Sequence, residues 1–396
     1  MVGTWMQTFA QGWVLTSLTH SASVMATINL AAGLPMLFLT LIGGNAADRY
    51  DKRRILYIVL VVQILSATAI GLLVGSNRIQ IWHILVAATC LGIAAAFEVP
   101  TVAAFVPELV DRDQISSAIS VDRSVFHFTR LLGPAVGGWL IAEFGTASAY
   151  YLNALSFVAL IVALLSIPAG PPRSAHEEEE RRSGIKEGIS YVRKDAPISR
   201  MILLMAASAG FISPFLIILM PLYSRVTLGL PSEKMGILMA VSGVGSLSGS
   251  LGLLSIGRGH RATALKYGST VVAIGALGLA LAPNLAVACV SIILLTLGLS
   301  TNFGLSNIVI QERAPHHLRG RVSSVASLSF FGLVPFSGLL ISALVDQIGM
   351  RNAMLVCSGG YAVCVTLLLS GVRQLASAPL PEAEPETQTA NAAGVE

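Results

Sequence analysis

Five ionisable side chains stand inside otherwise apolar stretches of this 396-residue chain: Glu98, Asp122, Arg123, His127 and Arg130. An ionisable group costs several kcal/mol in hydrocarbon unless it is paired or hydrated, so such residues default to functional roles. A carboxylate desolvated in a cavity has a raised proton affinity and can load and release a proton. That makes Glu98 and Asp122, the acids lying within spans of the first half, the proton-coupling candidates. The plainer alternative is a fixed structural pair, Glu98 with Arg130 or Asp122 with Arg123, and both readings stand at this point. Arg123, His127 and Arg130 follow i, i+4, i+7 and share one helix face. From a helix start near Ile115, Asp122 lies about 10 Å and Arg130 about 22 Å along the axis, too deep for Arg130 to snorkel out.

The elements that carry them are membrane spans. Hydrophobic residues make up 54% of the chain, charged residues 12%, and the mean hydropathy is +0.75. A water-soluble domain would carry roughly 25% charged residues. Apolar stretches of the length a bilayer requires recur near 1–19, 22–46, 55–76, 82–107, 115–142, 147–168, 200–224, 234–256, 263–282, 285–309, 321–345 and 352–372. The fold class expected is an all-α polytopic membrane protein of twelve transmembrane helices in two six-helix pseudo-symmetric halves. The expected division is an N-terminal bundle over 1–169, a cytoplasmic connector with an amphipathic helix over 170–199, a C-terminal bundle over 200–373 and a disordered cytoplasmic tail over 374–396. Met1–Thr19 contains Gln7 and Gln11 and barely reaches across about 30 Å of hydrocarbon, a length that a truncated or misplaced start would produce. No basic leader with a cleavage site precedes it, so the first helix is expected to be retained.

Basic residues gather in the connectors after the even-numbered spans, while the other side holds Arg78, Arg225, Lys234 and Arg351. The positive-inside rule then places both termini in the cytoplasm. The same distribution accounts for the net charge of +4 without nucleic acid. In the connector, Ile185, Ile189 and Val192 fall at i, i+4, i+7, which predicts a short amphipathic helix lying on the cytoplasmic surface. PELVDRDQISSAIS (107–120) parallels PHHLRGRVSSVAS (315–327), an internal repeat consistent with parallel halves and a substrate site near midplane.

Other features are excluded as sites. Gly243, Gly245 and Gly249 have the wrong spacing for a dinucleotide loop and read as close helix packing. His316-His317 has no partners at metal-ligand spacing, and Cys90, Cys289, Cys357 and Cys364 read as packing thiols. No nucleotide-binding P-loop is present, so the chain is not expected to hydrolyse ATP or to act as an enzyme.

The loop between the second and third spans, Gly44-Asn-Ala-Ala-Asp48-Arg49-Tyr-Asp51-Lys52-Arg53-Arg54, resembles the GxxxDRxGRR signature of the major facilitator superfamily, with Asp51 at the second glycine. The resemblance implies a cytoplasmic latch. Gly44 would permit close helix approach, Asp48 would sit against a second-half helix starting around Arg319–Gly320, and Arg49 and Arg53 would complete an ion-pair network. A basic loop that merely obeys the positive-inside rule is the plainer alternative. Arg130-Leu-Leu-Gly133-Pro134-Ala-Val-Gly137-Gly138 resembles the GPxxGG antiporter motif, whose proline and glycines make a pliable seam or ordinary small-residue packing. GTWMQTFAQGW (3–13), EGISYV (187–192), QERAPHHLRGRVSS (311–324) and FFGLVPFSGLL (330–340) are similar to the branch of the enterobactin exporter and macrolide-efflux proteins, where aspartate at position 51 is usual.

That resemblance implies a bacterial inner-membrane secondary transporter working by alternating access. It would be a monomeric proton-coupled exporter of a siderophore, a macrolide-like drug or a similar small molecule, needing no cofactor beyond the proton gradient. It also implies that Gln7, Gln11, Asn302, Asn307 and Gln311, with Arg123, His127 and Arg130, line the pathway. Helix-to-helix hydrogen bonding is the other use for such amides. Trp5 and Trp13 could stack on a ligand or anchor the helix at the interface. An importer of the same fold, or a non-transporting membrane sensor or assembly partner, are the alternative functions.

Overall fold

In lipid every backbone polar group must be satisfied within its own segment, and the chain meets this by being helical throughout its spans. A computed structural model describes residues 1–110, 114–166, 185–315 and 318–370, and within helix α5 it leaves the side chains of Asp122, Arg123 and His127 outside the described residues. The acidic run Glu177–Glu180, His316-His317 and the expected tail over 374–396 also lie outside them. The first group of helices is α1 (Val2–Leu18), α2 (Ala22–Arg49), α3 (Lys52–Gly75), α4 (Ile81–Phe105), α5 (Ile115–Phe144) and α6 (Ala147–Ser166). After the short α7 (Ile185–Lys194) come α8 (Ala196–Phe211), α9 (Ser213–Ile217), α10 (Met220–Leu222), α11 (Ser232–Gly252), α12 (Arg261–Leu281), α13 (Leu285–Arg313), α14 (Arg319–Ser327), α15 (Leu333–Ile348) and α16 (Met350–Leu369). Among the described residues, nine helices are long and apolar enough to cross a membrane.

Helix ends are set by local chemistry. Ser21, Asp51, Asp195 and Asn284 cap α2, α3, α8 and α13, each side chain accepting a backbone N–H of the first turn. Asp51 accepts from Arg53 N at 2.9 Å. The aspartate standing in place of glycine therefore starts a helix. Gly145 (φ 78°) and Gly349 (φ 83°) end α5 and α15 in the left-handed region that β-carbons disfavour. Both turns lead straight into the next helix, α6 and α16, so the internal repeat seen before α5 and in α14 extends to the far ends of those elements. Pro214 and Pro221 break the segment from α8 to α10, and π turns occupy Tyr223–Thr227 and Leu328–Gly332.

Large apolar side chains such as Leu41, Leu254, Leu340 and Leu367 point outward, and the interior is close-packed and rich in alanine and glycine. This is the arrangement expected where lipid is the solvent and helices associate through small residues. Gly43 lies directly on the carbonyl of Ala96 and Gly92 on that of Ala32, which fuses α2 to α4. The tight approach is thus at Gly43. A β-carbon at Gly44 would meet only Pro100, at 4.0 Å.

Helix α7 does not lie free on a bilayer surface. Val192 is buried against α8, Ile189 is exposed, and Gly188 packs on the backbone of Arg321. Glu187 pairs with Arg321, and Arg313 grips the Asp195 carboxylate with Nη2 at 3.0 Å. Burial and the Asp195 charge push the Tyr191 hydroxyl above its usual range, with Arg313 pulling the other way. These charged contacts and the buried Val192 together dock α7 on the second group.

Candidate functional site

The two groups of helices meet along a seam made of small residues. On α5, Gly133 sits against the Trp5 side chain and Gly137 against Phe9 and the Met6 backbone, so these two glycines lay α5 on α1. Gly138 faces the other way. A β-carbon there would lie 2.7 Å from the Ser232 carbonyl oxygen and 3.2 Å from the Gly236 α-carbon of α11. One at Gly236 would lie 2.6 Å from the Pro134 carbonyl oxygen. The motif around Gly133 and Pro134 therefore serves two interfaces, one within the first group and one between groups. Prolines of the second group also rest on glycines of the first, Pro221 on Gly12 and Pro335 on Gly33. Gly243 packs on Leu131 of α5, and Gly245 and Gly249 pack on α13.

Near the middle of α5, the Arg130 guanidinium stands 5.6 Å over the Trp5 ring and is solvent-accessible. The fixed pair considered for Glu98, with Arg130, is not formed, and the Asp122–Arg123 pair lies outside the described residues. The Glu98 carboxylate accepts from Gln63 Nε2 at 2.7 Å, between α4 and α3, and not from Arg130. Gln63 is itself buried, and among the described residues its Oε1 and the nearby Ser66 hydroxyl have no partner. A polar amide inside the apolar run of α3 was the available signal for this partner.

The amides divide by neighbour. Gln7 is buried and accepts from Asn153 Nδ2 at 2.7 Å, tying α1 to α6. Asn302 is buried and donates to Ser269 at 3.0 Å, with the Tyr361 hydroxyl 3.5 Å away, tying α13 to α12 and α16. Asn307 bonds the Phe303 carbonyl of its own helix. Gln11 is half-buried and Gln311 exposed. Gln7 and Asn302 are thus helix ties in this conformation, because a buried amide in a dry interior must spend its hydrogen bonds on protein.

The two ends of the bundle differ. At the end away from the basic connectors, the Asp346 carboxylate of α15 takes the Ser21 hydroxyl at 2.9 Å and the N–H groups of Ala22 and Ser23 at 2.7 and 3.0 Å. An acid of one group thereby closes the positive N-terminus of a helix of the other. Nearby, Arg225 stacks 4.2 Å over Trp13 and donates to the Trp13 carbonyl at 3.1 Å and the Thr16 hydroxyl at 3.2 Å. Sequence reasoning counted Arg225 only toward topology and missed Asp346, a lone acid ending an apolar run.

At the basic end, the ion pairs among the described residues stay within one group or between the second group and α7: Lys52 with Glu108, Arg258 and Arg261 with Glu312, Arg313 with Asp195, Arg321 with Glu187. Asp48 and Arg49 are exposed, and Arg53 stands 6.0 Å over Phe105 of its own group. A β-carbon at Gly320, beside the start of α14, would meet nothing within 4 Å. Among the described residues, Asp48 forms no ion pair with α14. Asp346→Ala is expected to raise the fraction of molecules opened at the Asp346 end roughly tenfold, since charge-assisted hydrogen bonds at an exposed site contribute about 1–2 kcal/mol. Spin-label distances between the α1–α2 and α15–α16 turns should lengthen accordingly, and an unchanged distribution would remove Asp346 from the gate.

The chain resembles known proteins in sequence and in fold. The chain is 28% identical over 372 residues to the multidrug efflux pump Tap of Mycolicibacterium fortuitum, covering 91% of this chain and 88% of that one. It is 24% identical over 374 residues to the staphyloferrin A transporter of Staphylococcus aureus, covering 93% and 92%. Its fold matches the crystal structure of a bacterial homologue of the iron transporter ferroportin in the inward-facing state, with a TM-score of 0.70 at 17% identity over 95% of this chain and 96% of that one. The family of transmembrane secretion effectors, MFS_3, matches residues 1–393. With small-residue seams between its apolar helices and this match along nearly its whole length, the chain is a multi-pass membrane transporter and not an enzyme, and it belongs to the transmembrane secretion effector family of the major facilitator superfamily.

Proposed function

We propose that this transporter is a proton-coupled exporter built from twelve spans, six in each half, with the segment from α8 to the π turn at Tyr223–Thr227 as the seventh. The observation that carries the reading is the asymmetry of the two ends. Asp346 and Arg225 join the halves at one end, while at the basic end each described ion pair closes within a half or onto α7. Basic connectors face the cytoplasm, so this conformation opens inward, the side from which an exporter loads. Both termini are then cytoplasmic, in a bacterial inner membrane, and the protein works as a monomer. Closure of the inner end would bring Asp48 to the N-terminus of α14, where its charge complements the helix dipole. Relatives named as a multidrug efflux pump and a staphyloferrin A transporter support a mid-sized drug-like or chelating substrate.

Proton coupling is assigned to Glu98, held between α3 and α4 by Gln63, and to Asp122. In proteoliposomes under an imposed pH gradient, Glu98→Gln and Asp122→Asn are each expected to lower gradient-driven flux of erythromycin or a siderophore at least about tenfold, while gradient-independent exchange persists. Full gradient-driven flux in both variants would overturn the coupling assignment. No flux of any substrate under any gradient would overturn the exporter reading itself.

A further inference from the structure

We propose that Arg130 and Trp5 form the central binding site of this transporter and that the site selects organic anions, ligands carrying a carboxylate beside a flat apolar part. The proposal rests on the transport reading above and adds a substrate class to it.

Arg130 is 15 residues from the start of α5 and 14 from its end, so it stands about 21–22 Å from either end at 1.5 Å per residue. A guanidinium at that depth cannot reach either water interface along its own stem. Its charge has to be balanced from inside the pathway. Among the described residues it forms no ion pair and no hydrogen bond, and Glu98 is engaged with Gln63 instead. The guanidinium stands 5.6 Å over the Trp5 ring, a cation–π contact that spends none of the N–H donors of its planar fork on the ring. That fork matches a carboxylate in two parallel hydrogen bonds. Gly133 lets α5 approach the Trp5 backbone and β-carbon closely, which sets the ring beside Arg130. An apolar ring on the ligand would lie against the indole while its carboxylate meets Arg130. A cationic ligand would meet the positive charge of Arg130, which disfavours it.

The same pair recurs along α1. Trp13 stands eight residues beyond Trp5, about 12 Å along the helix, and carries Arg225 on its face, again with no carboxylate partner among the described residues. Here the donors are spent on the Trp13 carbonyl and Thr16, across the closed outer end. An anion moving outward from Arg130 would compete for those donors, and the tie between α1 and the second group would loosen as the ligand arrives.

The test uses the full chain in lipid nanodiscs and three matched probes: 1-naphthylacetate, the neutral 1-naphthylacetamide and the cationic (1-naphthylmethyl)trimethylammonium. Calorimetry should show the acid binding at least about tenfold more tightly than either of the others. Arg130→Gln should collapse that gap to within about twofold, and Arg130→Lys, which keeps the charge without the fork, should leave an intermediate gap. Monodispersity by size-exclusion chromatography certifies each variant as folded. Equal binding of acid and amide, tighter binding of the cation, a preserved gap in Arg130→Gln, or no saturable binding of the acid up to about 10 mM would each overturn the proposal. Gradient-driven flux of probes without preference for the acid would sink this inference and leave the transporter reading standing. Acid-selective binding with no flux under any gradient would do the reverse.

Discussion

Gly138→Val is expected to abolish transport while leaving the protein folded and in the membrane. Gly138 stands at the crossing of α5 and α11, where a β-carbon would come 2.7 Å from the Ser232 carbonyl oxygen and 3.4 Å from the Glu233 α-carbon. Those neighbours are backbone, which cannot rotate away as a side-chain tip can. Overpacking of this kind costs typically about 1–3 kcal/mol, and valine adds three carbons, so the upper end applies. About 3 kcal/mol alters the balance between two conformations by roughly a hundredfold, with 1.4 kcal/mol to each factor of ten. The contact joins the two groups and not the helices within one, so the cost falls on their relative motion. Flux should fall at least about tenfold, with each group's own helix packing intact. Gly359→Ala is the matched control, because nothing lies within 4 Å of a β-carbon at Gly359. Normal flux through the Gly138→Val protein would show that the groups do not move against one another at this seam.

Gly92→Leu is expected to lower the yield of folded protein sharply. Gly92 lies on the Ala32 backbone, as Gly43 lies on that of Ala96, and these approaches hold α2 and α4 together within the first group. Lipid supplies no hydrophobic force to drive helices together, so the stabilisation comes from close packing at small residues. A leucine would separate the two backbones along the whole crossing and forfeit the dispersion contacts that depend on it. A loss above about 3 kcal/mol is a large share of the 5–15 kcal/mol that usually separates folded from unfolded protein. The measurement is the yield of monodisperse protein, with Gly359→Leu as the lipid-side comparison. Recovery of Gly92→Leu at the level of the unsubstituted chain would mean that α2 and α4 can part without loss.

The two substitutions also separate what the glycine-rich sequence leaves ambiguous. In the motif from Arg130 to Gly138, every glycine looks alike as a letter, yet Gly133 and Gly137 face α1 while Gly138 faces α11. In the loop motif, Gly44 matches the signature position while Gly43 makes the approach. Asp51 departs from the signature and is explained by local chemistry, as the cap of α3.

From the sequence alone came the membrane environment, the helical class, the transporter family and the ends of several helices. Each rests on a local quantity: runs of apolar residues must be helices in lipid because their backbone can be satisfied in no other simple way, and Ser21, Asp51, Asp195 and Asn284 cap helices through residues two or three positions away. Tertiary structure alone decided which way each side chain faces. It turned Gln7 and Asn302 into helix ties, gave Glu98 to Gln63 in place of Arg130, stacked Arg130 on Trp5, and set Asp346 against the start of α2 across 324 residues of sequence. In water an amphipathic stripe announces the buried face of a helix. A helix bathed in lipid is apolar on every side, so its facing is written in close contacts between distant segments, and these exist only once the bundle has packed.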